Sequence, residues 1–402
     1  MKADKFAPEP IMTARRTALT GALLTALGPV SMAIYTPAMP ELVQAFSTTE
    51  AAIKMSLSLY FAGFAAAQLL AGPTADAFGR KTATIGFLIV YLVGSVLAAM
   101  APTIEWILVG RLIQGIGASV GVTVARAVVR DQFLGKDAAG ILNLIGIMLT
   151  VAPAMGPTLG GLSLAAFGWE SVFLLMLGFG IISIGSVILF LKETTIPDRT
   201  RLRPARLFSS YKEVLSNPSF VLTSLVVGGT VGALYAQSTM LPFVLIGEVG
   251  LTPTQFGFGM LVQTGSYLSG SIVLRQLSKH VSGHRAVVTG LCFCGGGAIA
   301  MALSAALLPP TFLSTMLPVA VCTFGMAFIG PHVITLGMSS FPHIAGSASA
   351  MMGFIQMGFG FLGGLAAAAM GAPLLALGTV IPLMEFTAIG SYIAYLAINR
   401  RT

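Results

Sequence analysis

The residues able to do chemistry in this chain are scarce, and the scarcity is itself informative. Lys plus Arg number 22 and Asp plus Glu 14 in 402 residues, and the 99 positions between Arg285 and Glu385 hold none of them. Ionisable side chains stand inside apolar runs at Arg111, His332 and Glu385, and Glu41 closes another run. Charge in an apolar medium is costly and marks ion or substrate paths, so these four are candidates for proton coupling. A buried carboxyl holds its proton towards neutral pH, and an imidazole titrates there unaided. Each position also has a plainer reading. Arg111 and Glu385 are within snorkelling reach of an interface, His332 suits a neutral hydrogen bond between helices, and Glu41 suits an exposed loop. No Ser/His or paired-acid cluster stands in the apolar runs, so the pattern is not that of an intramembrane enzyme, and no cofactor is implied.

Only a bilayer can host such runs. A helix crosses the hydrocarbon core with about 20 apolar residues. The segments are continuous rather than alternating, which favours helices over a barrel. Breakers at Leu308-Pro309-Pro310, Ser339 to His343 and Gly371-Ala372-Pro373 cut the uncharged stretch into spans. Twelve spans are expected, at 17–40, 52–71, 82–101, 105–128, 139–163, 171–191, 218–240, 254–275, 286–307, 312–335, 345–370 and 378–398. The chain is 55% hydrophobic and only 9% charged, with mean hydropathy +0.89.

Orientation follows from Lys and Arg. With both termini in the cytoplasm, 20 of the 22 basic residues fall inside, among them Lys2, Lys5, Lys136, Lys279, Arg400 and Arg401; Lys54 and Arg111 are the exceptions. Glu41, Glu50, Glu105, Glu170 and Glu248 fall outside. The net charge of +8 is therefore one of cytoplasmic loops, not of nucleic-acid binding. Cys292, Cys294 and Cys322 lie in spans and read as packing residues. The first apolar run is too long for a signal peptide and has no small-residue cleavage site, so it reads as an uncleaved span.

Residues 192–217 form the longest polar stretch and divide six spans from six. The expected organisation is a cytoplasmic tail at 1–16, a six-helix bundle at 17–191, a linker at 192–217 and a second bundle at 218–402. A weak repeat aligns Gly79-Arg80-Lys81 with Gly283-His284-Arg285. Transporters are commonly built from such repeats, with substrate bound between them near the midplane.

Three motifs stand out. Residues 72–81 read GPTADAFGRK, in which Gly72 and Gly79 permit tight turns, Pro73 stops the preceding helix, and Asp76, Arg80 and Lys81 set opposite charges in a short loop. Residues 111–118 read RLIQGIGA, with Gln114 beside Arg111. The fifth span carries Gly146, Pro153 and then Gly156-Pro157-Thr158-Leu159-Gly160-Gly161. Gly156 and Gly160, four apart, form a small-residue face for close helix approach.

At these residues the chain resembles the major facilitator superfamily, whose loop between helices 2 and 3 reads G-x-x-x-D-x-x-G-R-(R/K). The resemblance implies the all-helical fold of two six-helix bundles and a cytoplasmic ion-pair latch of Asp76 and Arg80, with Arg126, Arg130 and Asp131 as partners. It further implies proton coupling at Arg111 and an antiporter motif at the fifth span. Tyr35 to Pro40, Ala125 to Asp131 and Ala345 to Ala350 resemble the bicyclomycin/chloramphenicol-resistance (Bcr/CflA) group of drug:proton antiporters. That group implies a multi-pass inner-membrane protein, acting as a monomer, that exports small amphipathic drugs in exchange for protons. Helices 1, 4, 7 and 10 would line the path, offering Met32, Tyr35, Gln114, Gln237, Met240, Phe324, Met326 and His332.

One position departs from the pattern. Ala33 stands where the group carries an intramembrane Asp. An uncoupled facilitator or metabolite exporter of the same fold is therefore the competing expectation, and a transporter-like sensor signalling through its loops is a further one.

Overall fold

The computed structural model describes residues 10–278 and 280–399, with the side chains of 136 and 147–153 outside the description. Lys2, Lys5, Lys279, Arg400 and Arg401 lie outside the described residues, as do the side chains of Lys136 and Pro153. Every regular element among the described residues is helical. In order the helices are α1 (Ala14–Tyr35), α2 (Met39–Ala45), α3 (Glu50–Phe78), α4 (Arg80–Ala99), α5 (Ile104–Ala118), α6 (Val120–Gln132), α7 (Gly135–Phe167), α8 (Glu170–Phe190), α9 (Pro204–Leu215), α10 (Pro218–Pro242), α11 (Pro253–Leu277), α12 (Gly283–Leu307), α13 (Phe312–Met338), α14 (Ala345–Met370) and α15 (Pro373–Asn399). Hydroxyl and amide caps start many of them: Thr13, Thr49, Asn217, Thr252, Ser282 and Thr311 each accept a backbone N–H of the first turn.

Ten helical stretches among the described residues are long and apolar enough to span a membrane, some of them joining two helices, as Ile104–Gln132 joins α5 and α6. The fifth and eighth expected spans correspond to α7, of 33 residues, and α11, of 25 residues, which are not among the ten. α7 contributes two shorter apolar pieces, Asp137–Gly146 and Ala154–Phe167, on either side of the residues whose side chains lie outside the description.

The cores sort by chain half. One apolar cluster is built from residues between Met12 and Leu191 with Phe243 added. Two others draw on residues from Val226 to Tyr392. Across the halves, α3 packs along α14 and α7 along α11. At the end that carries Glu50 and Gly168, Thr158 Oγ1 donates to the Gly257 carbonyl at 3.1 Å, Thr254 Oγ1 reaches the Gly161 carbonyl at 3.4 Å, and Lys54 Nζ lies 4.8 Å from the centre of the Phe243 ring.

The segment 72–81 is not a loop. α3 runs on through Gly72 and Pro73 to Phe78, and only Gly79, at φ +94°, breaks the chain before α4. That left-handed conformation suits glycine alone. Pro73 is tolerated because proline removes the N–H that would bond the carbonyl four residues back, and another donor replaces it. That carbonyl, Leu69, accepts from the hydroxyl of Tyr211 in α9. The same solution recurs at Pro318 of α13, where Ser304 Oγ donates to the Ser314 carbonyl at 2.6 Å.

Candidate functional site

The densest charge cluster lies at the α3–α4 junction. Arg80, 4% exposed, pairs with Asp76 one turn earlier and donates from Nε to Asp131 of α6 at 3.0 Å. Asp131 also accepts from Thr194 Oγ1 at 2.9 Å. Asp76 takes a second cation, Arg201, at 3.2 Å. Glu193 caps α4: its carboxylate accepts the backbone N–H of Arg80 at 2.6 Å and of Lys81 at 3.1 Å. An anion there faces the positive end of the helix dipole. Lys81 Nζ donates to the Ile188 carbonyl at 2.8 Å. Asp131, expected as a partner of Arg80, is one. Arg126 and Arg130, expected beside it, are exposed and make no ion pair among the described residues. Sequence reasoning missed Glu193, Thr194 and Arg201; the signal was an acid at position 193 directly after the sixth span.

Arg111 lies in the core of the N-terminal half and does not snorkel. It is fully buried. Its guanidinium sits between the rings of Tyr35 and Tyr60, 4.5 Å and 4.3 Å from their centres. Nη1 donates to Gln114 Oε1 at 2.7 Å, and Gln114 Nε2 donates to Ser95 Oγ at 2.8 Å. Nε and Nη2 have no hydrogen-bond acceptor. Each aromatic face stabilises a desolvated cation by roughly 2 kcal/mol or more. Tyr35 in turn shares a hydrogen with Ser56 Oγ at 2.6 Å. Met32 is buried on the same helix.

The glycines of α7 form a joint. A Cβ on Gly156 would collide with Ala33 Cβ, and one on Gly160 would collide with the Ile34 carbonyl of α1. One on Gly161 would run into the Pro253 carbonyl of α11. This stretch therefore touches both its own half and the opposite one, through backbone contacts that admit no side chain. Pro157 contributes its carbonyl, 2.6 Å from a Cβ on Gly257. Gly146, at the other end of α7, has open space where a Cβ would go. Ala33, where the resembled group carries an Asp, packs its Cβ directly against Gly156.

Glu385 is buried deep in the C-terminal half, at 2% exposure. It follows the start of α15 at Pro373 by twelve residues, about 18 Å of helix rise, rather than the seven residues read from the sequence. Its Oε2 has no hydrogen-bond partner, and a snorkelling contact with an interface is excluded by the burial. Nearby, the thiols of Cys294 and Cys322 each donate to the other's carbonyl, at 3.4 Å and 3.6 Å. Cys292 is exposed.

The remaining candidates scatter. Gln237 accepts from Gln263 Nε2 at 2.8 Å, and Met240 is fully buried in a core cluster. Met326 packs in another such cluster. Phe324 joins a ring cluster with Phe293 at 4.9 Å and Phe328 at 5.4 Å. His332 is half-buried against Gly283, while its neighbour His284 bonds Tyr392 at 2.8 Å. Glu41 is exposed in the first turn of α2.

Ten long apolar helical stretches among the described residues, in two packed halves, are those of a polytopic helical membrane protein. A model of the Major Facilitator Superfamily matches residues 21–368, and the chain belongs to that family. It is 27% identical over 344 residues to an uncharacterized MFS-type transporter, YdgK, of Bacillus subtilis (strain 168), covering 83% of this chain and 84% of that protein. It is 31% identical over 237 residues to the multidrug resistance protein MdtL of Klebsiella pneumoniae (strain 342), covering 59% of this chain and 60% of that one. The crystal structure of a bacterial homolog of the human lysosomal transporter Spinster, inward-facing and unoccupied, superposes with TM-score 0.72 at 16% identity, over 96% of this chain and 97% of that one.

Proposed function

We propose that this transporter exports small amphipathic compounds across the inner membrane in exchange for protons, as a monomer of twelve spans with both termini in the cytoplasm. Residues 17–191 rock against 218–402 by alternating access, joined by the linker 192–217. The end bearing Arg80, Asp131 and Arg201 is cytoplasmic by the positive-inside rule. The contacts of Thr158, Thr254 and Lys54 across the halves then close the outer end. The ion pairs at Arg80 act as a latch that biases one of the two states, a population shift rather than a catalytic step.

The observation that carries the coupling is Glu385: a carboxyl 2% exposed, with one oxygen unpartnered, inside a membrane helix. Such a group binds and releases protons as its surroundings change. Export of drugs is supported by the relationship to MdtL and by the Bcr/CflA-like segments. A collapsed proton gradient that leaves chloramphenicol uptake into everted vesicles unchanged would contradict the exchange. A second reading, an uncoupled facilitator or metabolite exporter, is favoured by the packing of Ala33 on Gly156, which leaves helix α1 without an acid. Uptake driven by the substrate gradient alone is its signature.

A further inference from the structure

Two arginines of α6 stand outside every interaction described above. Arg126 and Arg130 are four residues apart, on one helix face. Both are exposed, and neither makes a hydrogen bond or ion pair among the described residues. The other sides of α6 are occupied. A Cβ on Gly121 would meet the Leu24 carbonyl of α1, Thr123 meets Gly72 of α3, and Val129 packs with Ile141 and Ile145 of α7. α3 and α7 are the helices that reach α14 and α11 of the other half. The face between them therefore opens on the cleft between the halves.

The acids nearest that cleft are mostly engaged by other partners. Asp131 is held by Arg80 and Thr194, Asp76 by Arg80 and Arg201, and Glu193 by the amino end of α4. Asp137, in the first turn of α7, makes no ion pair among the described residues. On the facing half, α10 and α13 carry no Asp, Glu, Lys or Arg, α11 carries only Arg275, and α14 carries none. Arg130 sits in the last turn of α6, where a cation complements the helix dipole. Arg126 is a full turn deeper, about 9 Å from the helix end, and has no such explanation.

We infer that Arg126 and Arg130 form an anion-recognising pair in the cleft, and that among small amphipathic compounds the transporter prefers organic anions bearing a carboxylate, sulfonate or phosphoryl group. This rests on the export reading above. Guanidinium groups bind such oxyanions with two parallel hydrogen bonds. A quaternary cation meets two like charges there, an unfavourable juxtaposition.

The test is dye uptake by everted vesicles containing the full chain, with fluorescein as the anion and ethidium as the cation. Fluorescein is expected to be carried in preference to ethidium. Arg126→Gln should raise its KM about tenfold, the loss of one charge-assisted contact, and Arg126→Lys should recover part of it. Wild-type preference needs no variant to fold, so a misfolded variant leaves that arm intact. Ethidium carried as well as fluorescein, or a fluorescein KM unmoved in a folded Arg126→Gln, would overturn the anion assignment while leaving export standing. Exclusion of both dyes together with chloramphenicol would instead contradict the export reading, and the inference with it.

Discussion

The hydroxyl of Tyr211 donates to the carbonyl oxygen of Leu69, 142 residues earlier in the chain, and Pro73 is what leaves that carbonyl open. The pair ties α9 to α3. On the other side α9 pairs Glu213 with His343, just before α14, at 2.8 Å. The linker helix thus fastens to both halves. Replacing Tyr211 by Phe is expected to cost about 1 kcal/mol, because an acceptor is left unsatisfied. Pro73→Ala should restore an N–H to the Leu69 carbonyl and reduce that cost. Equilibrium unfolding of the two single variants and the double variant measures the coupling. A Tyr211→Phe cost that is the same with and without Pro73→Ala would contradict the geometry.

The same hydroxyl sets a pH expectation. Burial pushes the Tyr211 phenol up to about 12, above its unfolded value near 10. A folded value above the unfolded one means stability that is complete below about pH 10 and lost as pH rises through about 12. Wild type should therefore lose stability faster than Tyr211→Phe across that alkaline window, and the difference between them should be constant from about pH 6 to 9. A difference that grows within that lower range would place the titrating group elsewhere.

Burial also ranks the latch residues. Arg80 is 4% exposed and Arg201 is 51% exposed. Breaking a buried ion pair from one side costs about 3–5 kcal/mol, whereas an exposed pair is worth about 1 kcal/mol or less. Asp131→Asn should slow transport at least tenfold, and Arg201→Gln by no more than a few-fold. Initial uptake rates decide it, and the reverse order would mean that the exposed linker pair, not the buried one, controls the state.

Ala33→Asp is not expected to restore a helix-1 proton carrier. The new carboxylate would extend from a Cβ already packed against Gly156. Stability should fall by several kcal/mol, with expression falling alongside it, and α1 should part from α7. A stable, normally expressed Ala33→Asp with altered pH dependence of transport would contradict the packing.

Much of this is legible in the sequence. The apolar runs and the uncharged stretch before Glu385 announced membrane helices, because no soluble environment solvates them. The resemblance of residues 72–81 to the superfamily's loop motif implied an ion-pair cluster of Asp76 and Arg80, with Asp131 among its partners. What could not be read was long-range. Pro73 looked like a helix stop because its compensating donor, Tyr211, lies in a linker with no recognisable pattern. Glu193 looked like an ordinary linker acid, although it caps α4 across 113 residues. Arg111 looked able to reach the surface, and only the rings of Tyr35 and Tyr60, from two other helices, show why it is held inside. Glu385 looked shallower because α15 begins at Pro373, several residues ahead of its hydropathy signal.

The exchange of substrate for protons is tested most directly by lumen pH in everted, acid-loaded vesicles, comparing wild type with Glu385→Gln on addition of chloramphenicol or fluorescein. Wild type is predicted to alkalinise the lumen as substrate enters, and Glu385→Gln to leave lumen pH unchanged. Substrate accumulation in wild type with no movement of protons, or proton movement undiminished in Glu385→Gln, would contradict it.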